Sequence, residues 1–149
     1  MNILVDSCFW FAYWETRQKD QYMESAKRIY DICFDKYQYN IIIPFPSLYE
    51  TVNTKLLRDK NKTMADWFLK KLASDTKYLK VFDDKYREAA LAETTKNPRR
   101  ISLVDSILRL MMQDSELHIR ALITFNTGDF VDICKQYNIE IINEYTQFQ

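Results

Sequence analysis

Short apolar runs alternate along the chain with longer stretches in which apolar residues recur three or four positions apart. The apolar runs cover residues 3–5, 41–43, 121–123 and 139–142, and residues 78–82 form a weaker candidate that is either a fifth strand or an extended connector. The stretches of helical period cover residues 21–34, 48–58, 64–73, 85–93, 103–113 and 130–136. Strands that alternate with helices predict an α/β fold with a mainly parallel central sheet.

Length and composition narrow the class of protein. A chain of 149 residues without a Gly/Ser-rich linker or an internal repeat predicts a single domain over residues 1–149. The only glycine, Gly128, excludes a P-loop and a glycine-rich dinucleotide loop, because both need several glycines. Lys and Arg number 21 and Asp and Glu number 21. Any binding to nucleic acid must therefore come from a local basic patch.

The cysteines and the amino-terminal residues bear on localisation. Cys8, Cys33 and Cys134 are an odd number without C-x-x-C spacing, which favours reduced thiols packed as small hydrophobes in the cytoplasm. The apolar stretch before Asp6 is too short for the core of a signal peptide and lacks a basic leader. No run approaches the roughly 20 apolar residues of a membrane span. We therefore expect a cytoplasmic protein without a membrane partner.

Acidic and amide side chains follow the predicted strands or begin the predicted helices. Asp6 directly follows the first strand, Glu50 follows the second, and Asn126 and Asp129 follow the run 121–123, whereas Asp105 begins a helix. Ligands of open α/β sheets bind outside the carboxyl ends of the strands. These positions therefore predict three or four oxygen donors at one edge of the sheet.

Each of these positions also has a purely structural interpretation. An acid or hydroxyl group at a helix start can accept a backbone N–H, Ser-x-x-acid is the spacing of a capping box, and asparagine is common in turns. These alternatives apply to Asp6 or Ser7, to Ser47 with Glu50, to Ser102 with Asp105, to Asn126 and to Asp129. A cap does not explain the apolar neighbours of Asp105, among which an unpaired carboxylate costs several kcal/mol. A bound cation would offset that cost.

The chemical types of these oxygen donors indicate which cation would bind. Carboxylate and amide oxygens without a cluster of histidines or cysteines suit Mg²⁺ or Mn²⁺. The only histidine, His118, lies on a polar stretch before the run 121–123, where a surface position is expected. Zinc chemistry and histidine-dependent nucleophilic catalysis are therefore disfavoured.

Four motifs in this order resemble those of the PIN-domain family of metal-dependent ribonucleases, which includes the VapC-type toxins of toxin–antitoxin pairs. The motifs are ILVDS at 3–7, PSLYE at 46–50, SLVDSIL at 102–108 and ITFNTGDF at 123–130. The resemblance covers nearly the whole chain. It implies a three-layer α/β/α sandwich and an acidic core of Asp6, Glu50 and Asp105. Ser7 would support the first acid and bind the substrate.

The fourth position of the site departs from the family pattern. Many relatives carry an acid two residues after the threonine that corresponds to Thr124, where this chain has Asn126 and keeps Asp129 nearby. We therefore expect Asp6, Glu50, Asp105 and Asp129 as catalytic acids, with Asn126 joining the first three as a metal ligand. Because Asn126 adds no negative charge, one tightly bound cation and a weaker, substrate-assisted second one are expected.

The resemblance implies in-line attack of metal-activated water on an RNA phosphodiester. Lys96, Arg99 and Arg100 precede the helix of Asp105 and could line a groove for phosphates, although a solvated helix end explains them equally well. Relatives often form homodimers, and those that are toxins are held inactive by an antitoxin. The alternatives are a catalytically decayed PIN-like module that binds RNA or protein, and a phosphatase or DNA nuclease with the same cation site.

Overall fold

A single parallel sheet forms the centre of the protein in the computed structural model, which describes residues 1–15, 21–58, 62–96 and 100–148. Its strands are β1 (Asn2–Val5), β2 (Asn40–Pro44), β3 (Tyr78–Val81), β4 (Ile119–Ile123) and β5 (Glu140–Ile142), in the spatial order β3-β2-β1-β4-β5. Every neighbouring pair is parallel. The predicted strands are confirmed, and the weak candidate at 78–82 is the edge strand β3.

Helices connect the strands. They are α1 (Ser7–Tyr13), α2 (Met23–Tyr30), α3 (Phe45–Tyr49), α4 (Lys62–Ser74), α5 (Arg87–Lys96), α6 (Leu103–Gln113) and α7 (Val131–Tyr137). Helices α2 and α3 continue directly into π-helical segments, Asp31–Lys36 and Glu50–Leu57. Among the helices that the structure describes, none is long and apolar enough to cross a membrane.

The two faces of the sheet carry separate hydrophobic cores, because successive side chains of a strand point to opposite faces. Ile3 and Val5 of β1 pack on one face with residues of α1, α2 and α4, whereas Leu4 packs on the other face with residues of α5, α6 and α7. The same alternation separates Ile41 and Ile43 of β2 from Ile42. The three-layer α/β/α architecture predicted from the sequence is thereby confirmed.

The strand order creates a topological switch point at the carboxyl edge of the sheet. After β1 the chain builds β2 and β3 on one side, then returns to build β4 and β5 on the other. Between β1 and β4 the connections therefore diverge and leave a crevice, which is where open α/β sheets bind their ligands. Asp6 stands at this crevice, because its N–H donates to the Ile123 carbonyl oxygen at 3.1 Å.

Candidate active site

Asp6 is the most buried of the predicted acids, with 5% of its surface exposed. It occupies the position before α1, yet its side chain accepts no backbone N–H from that helix. Its Oδ2 instead accepts a hydrogen bond from Thr124 Oγ1 at 2.8 Å and one from Cys8 Sγ at 3.1 Å. The capping interpretation of Asp6 is therefore wrong, and the carboxylate is held between the ends of β1 and β4.

The loop after β4 fixes both donors of Asp6. The Asn126 N–H donates to Thr124 Oγ1 at 3.0 Å, and the Phe125 N–H donates to Cys8 Sγ at 3.3 Å. Burial, followed by the negative charge of Asp6, raises the pKa of Cys8 to about 12. Cys8 therefore remains a protonated thiol that donates to Asp6, unlike the simple hydrophobic packing expected of it, whereas Cys33 and Cys134 are buried as predicted.

Ser7 links the carboxylates of Asp6 and Glu50. Its Oγ donates to Glu50 Oε2 at 2.7 Å and lies 3.4 Å from Asp6 Oδ1. Glu50 reaches this hydroxyl from the first residue of the π-helical segment that follows α3. One buried hydroxyl group therefore lies within hydrogen-bonding range of two acids that are far apart in sequence. The supporting role expected of Ser7 agrees with this contact, although its role as a substrate ligand stays a prediction.

The capping box predicted for Ser47 and Glu50 is absent. Helix α3 begins at Phe45, directly after β2, so Ser47 lies inside the helix and does not precede it. The Ser47 side chain is fully buried, and its Oγ has no hydrogen-bond partner among the described residues. The spacing of Ser47 and Glu50 is therefore not explained by capping, and Glu50 is free to face Ser7.

Asp105 takes part in the capping of helix α6 and also lies within the electrostatic influence of the other predicted acids. Its N–H donates to Ser102 Oγ at 3.1 Å, and Ser102 Oγ lies 2.7 Å from Asp105 Oδ2, so Ser102 is the N-cap of α6 as predicted. Burial raises the pKa of the Asp105 carboxyl, and the charges of Asp6, Asp129 and Glu50 raise it further, against the opposing hydrogen bond from Ser102. The Asp105 carboxylate therefore experiences the field of all three other predicted catalytic acids.

Asn126 and Asp129 contact each other at the crevice. Asn126 Nδ2 donates to Asp129 Oδ2 at 2.5 Å, and the Asp129 side chain does not cap α7, whose N-cap residue is Phe130. Arg109 Nη1 donates to the Asp129 carbonyl oxygen at 2.7 Å and also binds Asp132. The Asn126 amide group thus orients Asp129, and its role as a metal ligand stays a prediction.

Cys8, Thr124 and Arg109 support the site and were not among the predicted site residues. Thr124 follows a strand directly, as Asp6 does, and Arg109 lies one helical turn after Asp105 on α6, so position offered a signal for both. Cys8 carried no such signal, because the hydrogen bond that it accepts from the Phe125 N–H depends on how β1 and β4 pair. The Thr124 hydroxyl and the Cys8 thiol therefore add donors to the acids, the Asn126 amide and the Ser7 hydroxyl that the sequence predicts.

The predicted phosphate-binding residues receive no direct support from the structure. Lys96 is exposed at the end of α5, with its Nζ 3.5 Å from Glu93 Oε1, which is the solvated helix end that the alternative describes. Arg100 is exposed, and Arg99 lies outside the described residues. Their contact with a substrate stays a prediction.

A metal centre is not preassembled in the part of the chain that the structure describes, where no three His, Cys, Asp or Glu side chains form a group that could hold a metal ion. The donors at the crevice are nevertheless carboxylate, amide and hydroxyl oxygens, and the neighbouring thiol is protonated. This chemistry fits a hard cation such as Mg²⁺ better than zinc. In comparisons with known proteins, no family model matches the chain and no curated protein matches it.

Proposed function

We propose that the protein is a Mg²⁺- or Mn²⁺-dependent endoribonuclease of the PIN-like type. The observation that supports the proposal is the electrostatic influence of Asp6, Glu50 and Asp129 on Asp105 beside the carboxyl ends of β1 and β4, although the described residues do not form a preassembled metal centre. The Ser7 hydroxyl bridges the first two acids, Asp6 and Glu50. Burial raises the pKa of the third, Asp105, and the charges of the other three raise it further. Such crowding of carboxylates is unfavourable in a protein that only needs to fold.

Asp6, Glu50 and Asp105 are the residues that would hold the cation, with Asn126 or Asp129 as the fourth donor. A bound divalent cation compensates the negative charge of the acids, lowers the pKa of water and stabilises charge on a phosphodiester. A carboxyl group with a perturbed pKa beside other acids, such as Asp105, also marks a candidate functional site. The acids alone would fit other phosphoryl substrates, and the choice of RNA rests on the resemblance of the four motifs.

The remaining side chains of the site position the acids. Thr124 and Cys8 both donate to Oδ2 of Asp6. Among the described residues, Oδ1 then has only the Ser7 hydroxyl nearby, which is closer to Glu50. Ser7 directs its proton to Glu50 Oε2. These bonds fix the orientation of both carboxylates, which is how outer residues commonly hold metal ligands.

An antitoxin protein and a second copy of the chain are the partners that follow from the resemblance, and a cytoplasmic location follows from the thiol pattern. Net charge +0 gives no long-range attraction to RNA. An antitoxin would be sought in the adjacent reading frame, as a small DNA-binding protein. Size-exclusion chromatography with light scattering would measure the homodimer directly.

The replacement Asp105→Asn tests the proposed activity. The amide keeps the shape of the side chain and can accept the Ser102 hydrogen bond, but it removes one ligand charge. We expect Mg²⁺-dependent cleavage of single-stranded RNA to fall by roughly a hundredfold or more, with cooperative thermal unfolding retained. Asp66→Asn on the exposed face of α4 is the matched control and should cleave as the parent does.

Other outcomes separate the alternatives. Equal cleavage rates for the parent and a folded Asp105→Asn variant would remove Asp105 from the chemistry. RNA binding without cleavage in Mg²⁺ or Mn²⁺ would favour a decayed binding module. Hydrolysis of DNA or of a phosphate monoester in preference to RNA would assign the same acids to a different phosphoryl substrate.

A further inference from the structure

A column of three aromatic rings runs from the core to the surface beside the acids. Phe9 is fully buried, Phe125 is half-buried, and Tyr22 has 39% of its surface exposed. The ring centroids of Phe9 and Phe125 are 6.5 Å apart, and those of Phe125 and Tyr22 are 4.5 Å apart with an interplanar angle of 15°. The core therefore supports an aromatic stack that reaches the surface at Tyr22.

A cavity of about 430 Å³ lies along this column. Tyr22 and Phe125 line it together with the side chains of Gln21, Ser25, Thr127 and Asn143, which supply amide and hydroxyl groups. One wall is braced, because the N–H groups of Asn143 and Glu144 both donate to Gln147 Oε1 at 2.9 Å. The volume is within the roughly 300–1,000 Å³ of small-molecule sites, and the lining combines aromatic faces with a few polar groups.

The cavity and the acids share the loop after β4. Phe125 donates its N–H to Cys8 Sγ, and Cys8 in turn donates to Asp6 Oδ2. Thr127 lies between Asn126 and Asp129, which contact each other at the crevice. A nucleotide strand whose phosphate lies at the acids therefore has this cavity as its neighbour.

We propose that this cavity is a subsite for one unpaired nucleobase of the RNA strand, which stacks against the partly exposed Tyr22 ring that lines it. The proposal rests on the ribonuclease function proposed above. Sequence-tolerant proteins bind single strands by stacking bases on aromatic side chains, and a flat base offers amide and carbonyl edges to groups such as those of Gln21 and Asn143. Glu144, which also lines the cavity, disfavours a phosphate group there and leaves the phosphates to the acidic crevice.

Replacement of Tyr22 tests the subsite through substrate affinity. Tyr22→Leu keeps an apolar side chain but removes the ring, so we expect the KM for a short single-stranded RNA to rise roughly five- to 150-fold with kcat nearly unchanged. Tyr22→Phe retains the ring and should stay within about twofold of the parent. Tyr137→Leu is the matched control, because Tyr137 is also 39% exposed but lies at the end of α7, before the amino end of β5.

A binding measurement keeps the test independent of cleavage. An RNA oligonucleotide with single 2-aminopurine substitutions is added to the Asp105→Asn variant, or to the parent if the parent does not cleave RNA. The subsite is supported if the 2-aminopurine fluorescence is quenched at one position of the oligonucleotide. This quenching should be lost in Tyr22→Leu and retained in Tyr22→Phe. If that quenching occurs although the parent cleaves nothing, the nuclease function fails and the base site stands.

Two results would overturn the subsite itself. If the protein cleaves RNA but Tyr22→Leu changes neither the KM nor the quenching, the protein is a nuclease without this base site. Quenching of free 2-aminopurine ribonucleoside monophosphate as strong as that of the oligonucleotide would assign the cavity to free nucleotides and not to a strand. Equal losses in the Tyr137→Leu control would attribute the effect to general destabilisation and also reject the proposal.

Discussion

Asp105 shows at the scale of one residue how folding and function oppose each other in this protein. The Ser102 hydrogen bond favours the charged carboxylate, whereas burial and the charges of Asp6, Glu50 and Asp129 disfavour it, and the disfavouring effects are larger. The pKa of Asp105 is therefore raised above its ordinary value of 3.8. A carboxyl group with a raised pKa in the folded state stabilises that state when protonated and destabilises it when ionised.

The pH dependence of unfolding tests this balance in the metal-free protein. Because the folded state holds the Asp105 proton more tightly than the unfolded state, its contribution to stability is lost as the pH rises from about 3.8 through the raised pKa. We expect Asp105→Asn, measured with a chelator present, to unfold at a higher temperature than the parent above that range. The two proteins should converge at lower pH, and a constant difference at every pH would contradict the prediction.

At the scale of elements, two helices carry the same Ser-x-x-acid spacing and begin differently. Helix α6 begins after Ser102, whose side chain caps it. Helix α3 begins two residues before Ser47, because β2 leads directly into it and Pro46 occupies its first turn, where a missing N–H has no cost. A spacing rule therefore identifies a cap only when the helix start is known.

Alanine replacements of the two serines should have opposite effects on stability. Ser102→Ala removes a cap and should lower the free energy of unfolding by about 1 kcal/mol. Ser47→Ala removes a buried hydroxyl group without a partner and should leave the free energy of unfolding unchanged or raise it by up to about 1 kcal/mol. Denaturant unfolding of both variants measures the difference, and destabilisation of Ser47→Ala equal to that of Ser102→Ala would restore the capping interpretation.

The strands were easier to predict from the sequence than the first helix. Runs such as 41–43 are β-branched and buried on both faces, which is typical of parallel strands. Residues 8–14 are apolar at every position, so they lack a helical period, although α1 forms there against the aromatic core. Hydrophobic periodicity detects a helix that has one solvent-exposed face. It does not detect a helix that is buried on nearly every side.

At the scale of the whole molecule, the site depends on the spatial order of the strands, which local sequence patterns do not predict. Positions at strand ends predicted that Asp6 and Glu50 share one edge of the sheet. The contacts of Thr124 with Asp6 and of the Phe125 N–H with Cys8 exist only because β1 lies beside β4, and the Ser7–Glu50 bond forms because β1 also lies beside β2. Local patterns therefore predicted the acids, whereas the groups that hold them follow from tertiary pairing.

This arrangement predicts that a divalent cation stabilises the entire fold and that Asn126→Asp strengthens the effect. A ligand that binds only the folded state stabilises it by about 2.7 kcal/mol at one hundred times its dissociation constant. Asn126 donates to the Asp129 carboxylate, so an aspartate there replaces a hydrogen bond with a contact between like charges. Without metal, the variant should therefore unfold at a lower temperature than the parent.

With Mg²⁺, the added carboxylate should increase the stabilisation beyond that of the parent and lower the Mg²⁺ concentration for half-maximal cleavage. Thermal unfolding over a Mg²⁺ series measures this, with Asn126→Ala as the control that loses the Asp129 hydrogen bond but gains no charge. The alanine variant should be destabilised without a larger response to Mg²⁺. If Asn126→Asp also responds no more than the parent, Asn126 lies outside the metal site, and Asp129 takes the fourth position beside Asp6, Glu50 and Asp105.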